Sequence, residues 1–540
     1  MATVDEKFLG RSGIADDYVR NFDAVREFYA HDYHAEDWSA AIDTVKAFEH
    51  PRTHVARILA EQNGKFGSGE KSLANAEKLA NGDCYAIVTG QQVGILTGPL
   101  YTVYKAITAI RLAETLSRRH GTGFVPVFWM ASNDHDFNEV SHVNLFDGEN
   151  NLHSFTYDPA SPPDGRPMNR IQMDETFGNL IREIKNSIPA ADFNSAVFEL
   201  VEESYSTGAG ISDGFARMMA RLFGKYGLVL LDPSAPELLR LAAPVVEKEI
   251  RNPLKSTEHA NNAVERLTLA GYKPQVEKSA ARTALFLEDE DGIRRPLGYR
   301  DGRFVTAGAN LSFSENELLE LLNDKPGRFS PNVLLRSVVQ DHLLPTAAYV
   351  AGPSEIAYFA QMKTVYEMFG VPQPIIFPRI SMTLLAGQTA ELLEDIGADA
   401  IDLAAGPQEL FSRLVLEKLS DDVERLTAEP GRQIDDIMEN LSETLAAFDA
   451  GLRDATEPVR RKIAHQIETL RRKILKVGRR KNQDLKHRID KVYKRVFPGG
   501  APQERVLNVT SFLAEYGFEF IDRLYEASDI FSDQHQVLNL

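Results

Sequence analysis

The chain has 540 residues, of which 43% are hydrophobic, and it carries a formal net charge of -18 at pH 7. Its length exceeds the usual size of one domain, so we expect two or three domains. The acidic balance opposes non-specific binding to nucleic acid or to an anionic membrane, and no run approaches the roughly 18 apolar residues that span a bilayer. The first 22 residues lack the plan of a signal peptide. We therefore expect a cytoplasmic protein with no nucleic-acid partner and no membrane partner.

The sequence contains one cysteine, Cys84. A single cysteine excludes an intramolecular disulfide framework and a Cys-rich zinc site. Because Cys84 stands at the start of an apolar run, we interpret it as a buried packing thiol and not as a nucleophile.

Residues 19–79 have a polar helical pattern, which predicts helices packed around a sheet. Apolar runs at 85–88 and 124–130 then predict buried strands, and helical spacing predicts a helix at 100–117 between them. Strand, helix and strand in this order form a right-handed crossover, which brings both strand ends to one edge of a parallel sheet. Ligands of open α/β sheets bind at that edge. The loops after the two strands should therefore form one site.

The α/β pattern returns further along the chain, which predicts a Rossmann-like core at 1–384. The predicted elements are a helix at 211–226, strands at 228–231, 347–352 and 374–379, and a helix at 353–370. Pro353 suits the first position of its helix. Short β-like runs at 272–306, separated by the turn sequences DEDG and RDG, predict an antiparallel insertion within about 255–310.

The composition becomes charged and helical at 434–496. Apolar residues that step by threes and fours predict two helices of an antiparallel coiled-coil arm, within a helical domain at 385–500. The register slips near Lys481, which resembles a stutter. Basic clusters at 460–495 are typical of a solvated face, and a phosphate-containing ligand or a partner surface is the alternative. The remaining 501–540 should form a helical segment that returns to the core.

The loop after the first strand contains Gly90, Gly94 and Gly98 and leads to a helix start at Pro99. Backbone N–H groups and the positive end of the helix favour a phosphate or carboxylate ligand. The alternative is a tight turn that needs glycine. Two adjacent amides after a buried strand support binding, although no P-loop and no dinucleotide fingerprint occurs here. The predicted binding residues in this part are Thr89, Gly90, Gln91, Gln92, Gly98, Pro99, Tyr101 and Lys105.

The second strand is followed by the sequence NDHD, which contains Asp134, His135 and Asp136. Three functions are consistent with such a cluster: a general acid/base pair, a metal site, or side chains that cap the loop. Glu139 and His142 do not stand at a spacing specific for a metal. We therefore take the three residues as catalytic candidates and assign no metal ligand.

Polar residues also accompany the later α/β stretch. Arg336 and Arg379 would bind a carboxylate in a bidentate manner, or they are structural arginines in salt bridges. Glu355, near a helix start, would bind substrate or favour the helix dipole. The predicted binding residues in this stretch are Arg336, Tyr349, Gly352, Glu355 and Arg379.

Several long motifs occur in a characteristic order: TGQQ, GPLYT, PVFW followed by DHD, GLVLLDP, FSPNVLLR and AYVAGP. With these motifs the chain resembles, over nearly its whole length, the bacillithiol biosynthesis cysteine-adding enzyme family. Asn133 is a departure, because an acidic residue is expected before DHD. The resemblance implies an α/β core similar to nucleotidylyltransferases and class I aminoacyl-tRNA synthetases, with connective insertions and a coiled coil associated with dimerisation. It also implies a cysteine ligase that forms an amide with glucosaminyl-malate in the last step of bacillithiol biosynthesis.

Our leading hypothesis is thus a ligase in which Asp134, His135 and Asp136 act as bases or bind ammonium and hydroxyl groups. The loop at 89–105 and Arg336 would hold anionic groups. The carboxyl must be activated, and ATP or another nucleotide is the candidate cosubstrate, although no HxGH or KMSKS motif is present. The expected partners are cysteine, glucosaminyl-malate and a second copy of the chain. The alternatives are a nucleotide-binding scaffold or regulatory protein with a coiled-coil dimerisation arm, and a metal-dependent hydrolase.

Overall fold

The computed structural model describes residues 7–11, 13–147, 149, 151–277, 279–308, 311–423, 427–449 and 456–540. The chain forms two compact units. The larger unit contains Phe8–Met382 and Gln503–Gln536. The smaller unit contains Thr383–Pro502, Val537–Leu540 and the described part of Met1–Lys7. In the described ranges, no helix is both long enough and apolar enough to cross a membrane.

Helices dominate the secondary structure of both units. The strands are β1 Cys84–Gln91, β2 Gly123–Met130, β3 His142–Phe146, β4 Leu152–Thr156, β5 Val229–Leu231, β6 Arg282–Glu288, β7 Arg294–Arg300, β8 Arg303–Thr306, β9 Ser312–Phe313, β10 Phe329–Pro331, β11 Thr346–Ala351, β12 Ile375–Pro378, β13 Met382–Leu385 and β14 Gln536–Asn539. The α-helices are α1 Ile14–Arg20, α2 Phe22–Val25, α3 Ser39–Ala47, α4 Arg52–Phe66, α5 Glu70–Lys78, α6 Leu100–His120, α7 Phe137–Val140, α8 Glu175–Ser187, α9 Asn194–Ser204, α10 Ile211–Phe223, α11 Pro236–Arg251, α12 Lys255–Leu269, α13 Glu315–Asp324, α14 Val333–Leu343, α15 Pro353–Phe359, α16 Lys363–Phe369, α17 Gly387–Ile396, α18 Pro407–Val423, α19 Glu429–Phe448, α20 Thr456–Lys481, α21 Gln483–Val496, α22 Gln503–Val506, α23 Thr510–Tyr516 and α24 Glu519–Ala527.

A parallel sheet forms the centre of the larger unit. Its strand order is β12-β11-β1-β2-β5, and every neighbouring pair is parallel. The central strand β1 is buried along nearly its whole length, as its continuous apolar run requires when helices cover both faces. The predicted α/β core is therefore confirmed. Thr89 pairs with Phe128 of β2 and with Val350 of β11, so the loops after these strands leave the sheet at the same edge.

The crossover helix α6 fixes the geometry of the first loop. Its buried residues cover most of the helix, and Gly121 ends it in the left-handed region at φ 65°. Two positions before this helix require glycine. Gly98 has φ 71°, which lies in the left-handed region. A Cβ at Gly90 would lie 2.9 Å from the carbonyl oxygen of Trp129, which is too close. The tight-turn explanation therefore holds at Gly98. Gly90 lies within β1, where the close approach of β2 and not a turn requires glycine.

The antiparallel insertion is present and extends beyond the predicted residues. Its strand order is β10-β6-β7-β8-β9, so it ends at Pro331. The predicted strand at 275–277 is wrong. Val276 donates its backbone N–H to the side chain of Gln361 and accepts a hydrogen bond from the same amide, so no neighbouring strand is needed. Gln361 also lies between α15 and α16, where the structure has two short helices instead of the single predicted helix at 353–370.

The smaller unit contains the predicted coiled-coil helices. Asp435 of α19 pairs with Arg460 of α20 at 3.3 Å, and a Cβ at Gly431 would lie 3.8 Å from Ile467. Because the earlier residue on one helix meets the later residue on the other, α19 and α20 are antiparallel. The helical run breaks between Lys481 and Gln483, where the apolar register slips. The helix α18 packs against both α20 and α21, so the bundle has more helices than the predicted pair.

Candidate functional site

A cavity of about 630 Å³ opens at the carboxyl edge of the parallel sheet. The loops after β1, β2 and β11 line it together with the inserted sheet and the helices α11 and α14. Thirteen of the predicted site residues line this cavity: Gly90, Gln91, Gln92, Tyr101, Lys105, Asp134, His135, Asp136, Arg336, Tyr349, Gly352, Glu355 and Arg379. The expectation that the two loops form one site agrees with this arrangement.

Three predicted residues lie elsewhere. Thr89 is fully buried, and its hydroxyl donates to the carbonyl oxygen of Val350 at 3.0 Å, so it joins two strands. Gly98 and Pro99 line a smaller cavity of about 40 Å³, which shares Gln91, Gln92, Tyr101 and Arg505 with the large one. The carbonyl oxygen of Gly98 accepts a hydrogen bond from the Asn508 amide at 2.6 Å, which directs it away from any ligand.

Lys105 and Glu355 form a buried ion pair beside the end of β1. Lys105 Nζ lies 2.5 Å from Glu355 Oε2 and donates to the carbonyl oxygen of Gly90 at 2.8 Å and to Gln91 Oε1 at 3.1 Å. Burial lowers the pKa of Lys105. Burial also opposes ionisation of Glu355, but the Lys105 ammonium and the Gly352 N–H outweigh it and hold the pKa of Glu355 below its usual value. The pair therefore ties the first loop to α15.

Arg336 lies next to this ion pair. Its guanidinium donates to Gln340 Oε1 at 2.9 Å and to the Tyr358 hydroxyl at 3.1 Å, while the Tyr349 hydroxyl donates to Glu355 Oε1 at 2.6 Å. In the described part of the chain no carboxylate lies within ion-pair distance of Arg336, which favours the carboxylate-binding interpretation of this residue. We call the following residues the deep cluster: Lys105, Arg336, Tyr349 and Glu355.

Arg379 behaves differently from Arg336. Its guanidinium donates to Glu504 Oε1 at 2.6 Å, and both side chains are buried. Burial opposes the charge on Glu504, but the Arg379 guanidinium and its hydrogen bond lower the pKa of that carboxyl. The Arg379 guanidinium also lies 5.7 Å from the centroid of the Tyr101 ring. These contacts favour the structural interpretation of Arg379, which shapes the cavity wall.

The loop after β2 brings Asp134 and His135 against the inserted sheet. Asp134 accepts hydrogen bonds from Gln92 Nε2 and from the backbone N–H of His135, each at 2.8 Å. The Arg294 guanidinium of β7 lies 3.0 Å from His135 Nδ1 and 3.7 Å from Asp134 Oδ1. Burial opposes the charge on Asp134, but the hydrogen bonds from His135 and Gln92 and the charge of Arg294 lower its pKa to about 2. We call Asp134, His135 and Arg294 the loop cluster.

Arg294 and Arg505 are charged residues that line the cavity and that the sequence did not predict. Arg294 and Arg295 occupy consecutive strand positions, so their side chains point to opposite faces of the sheet. The sequence gives no means of deciding which face meets the cavity. Arg505 is exposed, lines both cavities, and makes no ion pair or hydrogen bond within the described residues.

An apolar wall completes the large cavity. The helix α11 contributes Leu238, Ala242 and Val246, whose spacing of four places them on one face, and α14 contributes Val339 and Leu343. A mostly apolar lining with a few convergent polar groups is typical of small-molecule sites. The low local polarity also strengthens the electrostatic interactions of the charged groups nearby.

Asp134, Glu139 and Glu355 accept hydrogen bonds from protein groups. Among the residues described, no group of three or more His, Cys, Asp and Glu side chains is placed to hold a metal ion. Asp134 accepts a hydrogen bond from its own loop, as the loop-capping alternative predicts, and it also faces the cavity. Gln92 donates to Glu139 Oε2 at 2.8 Å as well, so one amide joins the two acidic side chains.

Comparison with known proteins gives matches over the whole chain. A family model described as "Bacillithiol biosynthesis BshC, N-terminal Rossmann-like domain" matches residues 1–380, and one described as "Bacillithiol biosynthesis BshC, C-terminal coiled-coil domain" matches residues 382–540. A Salinibacter ruber protein named "Putative cysteine ligase BshC" is 35% identical over 97% of this chain and 95% of its own length. A Bacillus cereus protein of the same name is 28% identical over 99% of this chain and 100% of its own length.

Solved structures also match, at a much lower level of similarity, and one example illustrates this. It is a chain described as a putative arginyl tRNA synthetase from Campylobacter jejuni, with 11% identity and a TM-score of 0.22, covering 88% of this chain and 98% of that chain. A TM-score this low supports no statement about the fold. The predicted likeness to nucleotidylyltransferases stays a prediction.

Proposed function

Because the chain belongs to the bacillithiol biosynthesis BshC family, as its sequence predicted, we propose that it is a ligase that joins cysteine to glucosaminyl-malate. The bond formed is an amide between the cysteine carboxylate and the sugar amine. The names of the curated relatives support this function over the alternative of a scaffold or regulatory protein.

The observation that carries the proposal is the presence of opposite charges around one cavity. Asp134 and Asp136 are suited to ammonium groups, while Arg336 and Arg505 are suited to carboxylates. Both substrates carry an amine and at least one carboxylate, so such a cavity has a counter-charge for each group. The apolar wall limits access of water, which would otherwise hydrolyse an activated carboxyl group.

The chemistry requires activation before the amine attacks, because a free carboxylate does not acylate an amine. In our proposal the cavity holds the activated cysteine and the amine next to each other, which replaces a bimolecular encounter by an oriented one. Asp134 has a pKa of about 2, so it is a weak base at neutral pH. Its role in the proposal is to bind and orient the ammonium or a sugar hydroxyl.

The first test is to incubate the purified full chain with cysteine, glucosaminyl-malate and ATP, and to follow products by mass spectrometry. An amide-linked thiol formed together with AMP would support adenylation of the carboxyl, and the same thiol with ADP would support phosphoryl activation. His135→Ala should lower the rate of amide formation by about 100-fold or more while its circular dichroism spectrum stays unchanged. Failure to form the amide even after other nucleoside triphosphates and cell extract are added would contradict the proposed function.

We also propose that the ligase is a cytoplasmic homodimer and that the coiled-coil helices form its interface. Large apolar side chains on these helices are exposed in the single chain, which supports a covered face: Ile437, Leu441, Phe448, Val459, Leu470 and Val477. Light scattering coupled to gel filtration should give twice the chain mass. Leu441→Asp combined with Leu470→Asp should give the mass of one chain, and a monomeric wild-type protein would contradict the proposal.

A further inference from the structure

His135 lies between two charged groups. One can only donate a hydrogen bond to the ring nitrogen Nδ1, and the other can only accept one from it. The Arg294 guanidinium is 3.0 Å from His135 Nδ1, whereas Asp134 Oδ1 is 3.5 Å from the same nitrogen. The remaining ring nitrogen, Nε2, makes no hydrogen bond within the described residues. The imidazole lines the large cavity and its side chain is 29% exposed, so a bound substrate can reach it.

The contact with Arg294 decides where the ring proton lies. A guanidinium has only donors, so the nitrogen at 3.0 Å must accept with its lone pair. The neutral ring then carries its proton on Nε2. A protonated ring would place an N–H group against the guanidinium N–H, which is a repulsive arrangement of like charges.

Contacts with the inserted sheet fix the Arg294 guanidinium in its position beside His135 Nδ1. Its Nε donates to Ser330 Oγ and its Nη2 donates to the carbonyl oxygen of Pro331, each at 2.9 Å. The guanidinium lies 3.7 Å from the centroid of the Phe286 ring, and the side chain is 8% exposed. Burial lowers the pKa of Arg294 to about 10, although Asp134 and Asp136 act in the opposite direction, so the group is charged at neutral pH.

We propose that Arg294 is a positioning residue that keeps His135 in the neutral tautomer with its proton on Nε2, so that His135 acts as a hydrogen-bond donor and not as a base. The proposal rests on the proposed function. The oxygen that receives this hydrogen bond is the carbonyl oxygen of the cysteine carboxyl, activated by a nucleoside triphosphate.

The reaction balances without proton transfer to the imidazole. The sugar ammonium first loses one proton to solvent. The neutral amine nitrogen then forms a bond to the carbonyl carbon, and the π electron pair moves to the oxygen, where His135 Nε2–H stabilises the developing charge. The electron pair on the oxygen then re-forms the C=O bond while the C–O bond to the activating group breaks, and that group leaves with its bonding pair as AMP or phosphate. The nitrogen releases its extra proton to solvent, and the amide remains.

The tautomer is tested on the full chain labelled with ¹⁵N-histidine, by long-range ¹H–¹⁵N correlation spectra at pH 8. The His135→Gln spectrum assigns the signals. The wild-type protein should show the Nε2–H tautomer of His135. In Arg294→Met, Asp134 Oδ1 is the polar group left beside Nδ1, at 3.5 Å, so the Nδ1–H tautomer should appear instead. A wild-type Nδ1–H tautomer, or identical spectra for Arg294→Met, would overturn the proposal.

Two matched variants separate positioning from folding. Arg294→Lys keeps a charged donor and should retain the Nε2–H tautomer. Arg295→Met removes the neighbouring arginine of β7, which pairs with Asp289, and should leave the His135 signals unchanged. Loss of the tautomer in Arg295→Met would show that general disturbance of the inserted sheet is the cause, which would overturn the assignment to Arg294.

The role in catalysis is tested by steady-state kinetics of amide formation. Removing one oxyanion donor typically lowers kcat by about 10²–10³-fold, so we expect this loss in His135→Ala and a similar loss in Arg294→Met, with KM changed less than about 3-fold. His135→Gln, which keeps an N–H donor, should recover part of the rate. Equal rates for His135→Gln and His135→Ala would overturn donation by Nε2. Absence of wild-type turnover would contradict the proposed function, while the spectra would still test the tautomer.

Discussion

The deep cluster and the loop cluster line the same cavity, but they differ in burial and in the origin of their residues. Lys105 is 4% exposed and Glu355 17%, whereas Asp134 is 27% and His135 29% exposed. The deep cluster comes from the parallel core, while the loop cluster needs β7 of the inserted sheet. A buried charge without its partner is costly, whereas a group that solvent reaches can exchange partners with a substrate. We infer that the Lys105–Glu355 pair of the deep cluster mainly supports the fold, while Arg336 and the loop cluster mainly support substrate binding and chemistry.

The pKa values of two aspartates near the cavity show the balance between burial and polar partners. Asp341 joins the deep cluster through Gln340, which bonds both Asp341 and Arg336. Burial raises the pKa of Asp341 to about 6, because the hydrogen bonds of Tyr366, Thr346 and Gln340 compensate only in part. In the loop cluster, hydrogen bonds and Arg294 outweigh burial and lower the pKa of Asp134 to about 2. Burial therefore dominates at Asp341, whereas polar partners dominate at Asp134, as they also do at Glu355.

The largest expected effect on stability comes from breaking the buried ion pair. Lys105→Met leaves Glu355 buried without its counter-charge and removes the hydrogen bond to Gly90. Removing one partner of a buried pair costs about 3–5 kcal/mol, so the free energy of unfolding should fall by this amount in urea titrations at pH 7. Lys105→Met combined with Glu355→Gln should recover part of the loss, since no unpaired charge remains. A loss of under about 1 kcal/mol in the single variant would contradict the structural role.

The second-largest expected effect on stability is its pH dependence, to which Asp341 contributes. Its pKa is about 6 in the folded chain against the ordinary 3.8. The folded state binds the proton more tightly, so this contribution is fully present below pH 3.8 and is lost as the pH rises through 6. At about 1.4 kcal/mol per pKa unit, wild-type stability should fall by about 2–3 kcal/mol relative to Asp341→Asn between pH 3.8 and pH 7. Parallel stability curves for the two proteins would show that Asp341 has an ordinary pKa.

The deep cluster was largely predictable from the sequence. Apolar runs marked the strands, and each of Lys105, Tyr349 and Glu355 was predicted as a binding residue, although only the loops after β1 and β2 were expected to meet. Their partners were not predictable. The choice between salt-bridged and free arginines depends on distant side chains, and Glu504, which pairs with Arg379, lies 125 residues further along the chain.

The loop cluster was predictable only in part. Asp134 and His135 stood out because polar residues directly followed a buried strand, but their partner Arg294 lies 159 residues away from His135 in an inserted sheet. Strand alternation places Arg294 and Arg295 on opposite faces without saying which face meets the core. The false strand at 275–277 has a related cause, because a single side chain, Gln361, satisfies the backbone of Val276.

Asp134→Asn should separate activity from stability in the loop cluster. The lowered pKa of Asp134 contributes stability that is present above pH 3.8 and is lost as the pH falls through 2. The variant should therefore lose at most about 2 kcal/mol at pH 7. Its rate of amide formation should fall about 100-fold or more, because the orienting carboxylate is gone. A stability loss equal to that of Lys105→Met, with activity retained, would reverse the proposed division between the two clusters.

Substitution of Arg505 should cause the smallest change in the free energy of unfolding, and it should still weaken substrate binding. It is exposed, and its guanidinium makes no ion pair within the described residues, so Arg505→Gln should change the free energy of unfolding by less than about 0.5 kcal/mol. If Arg505 binds a carboxylate of glucosaminyl-malate, KM for that substrate should rise about 10-fold with kcat nearly unchanged, which corresponds to about 1.4 kcal/mol. Arg523→Gln is the matched control, because Arg523 is an exposed arginine of α24 that does not line the cavity. Equal KM values for the two variants would remove Arg505 from the binding site and leave Arg336 as the cavity arginine available to an anionic substrate.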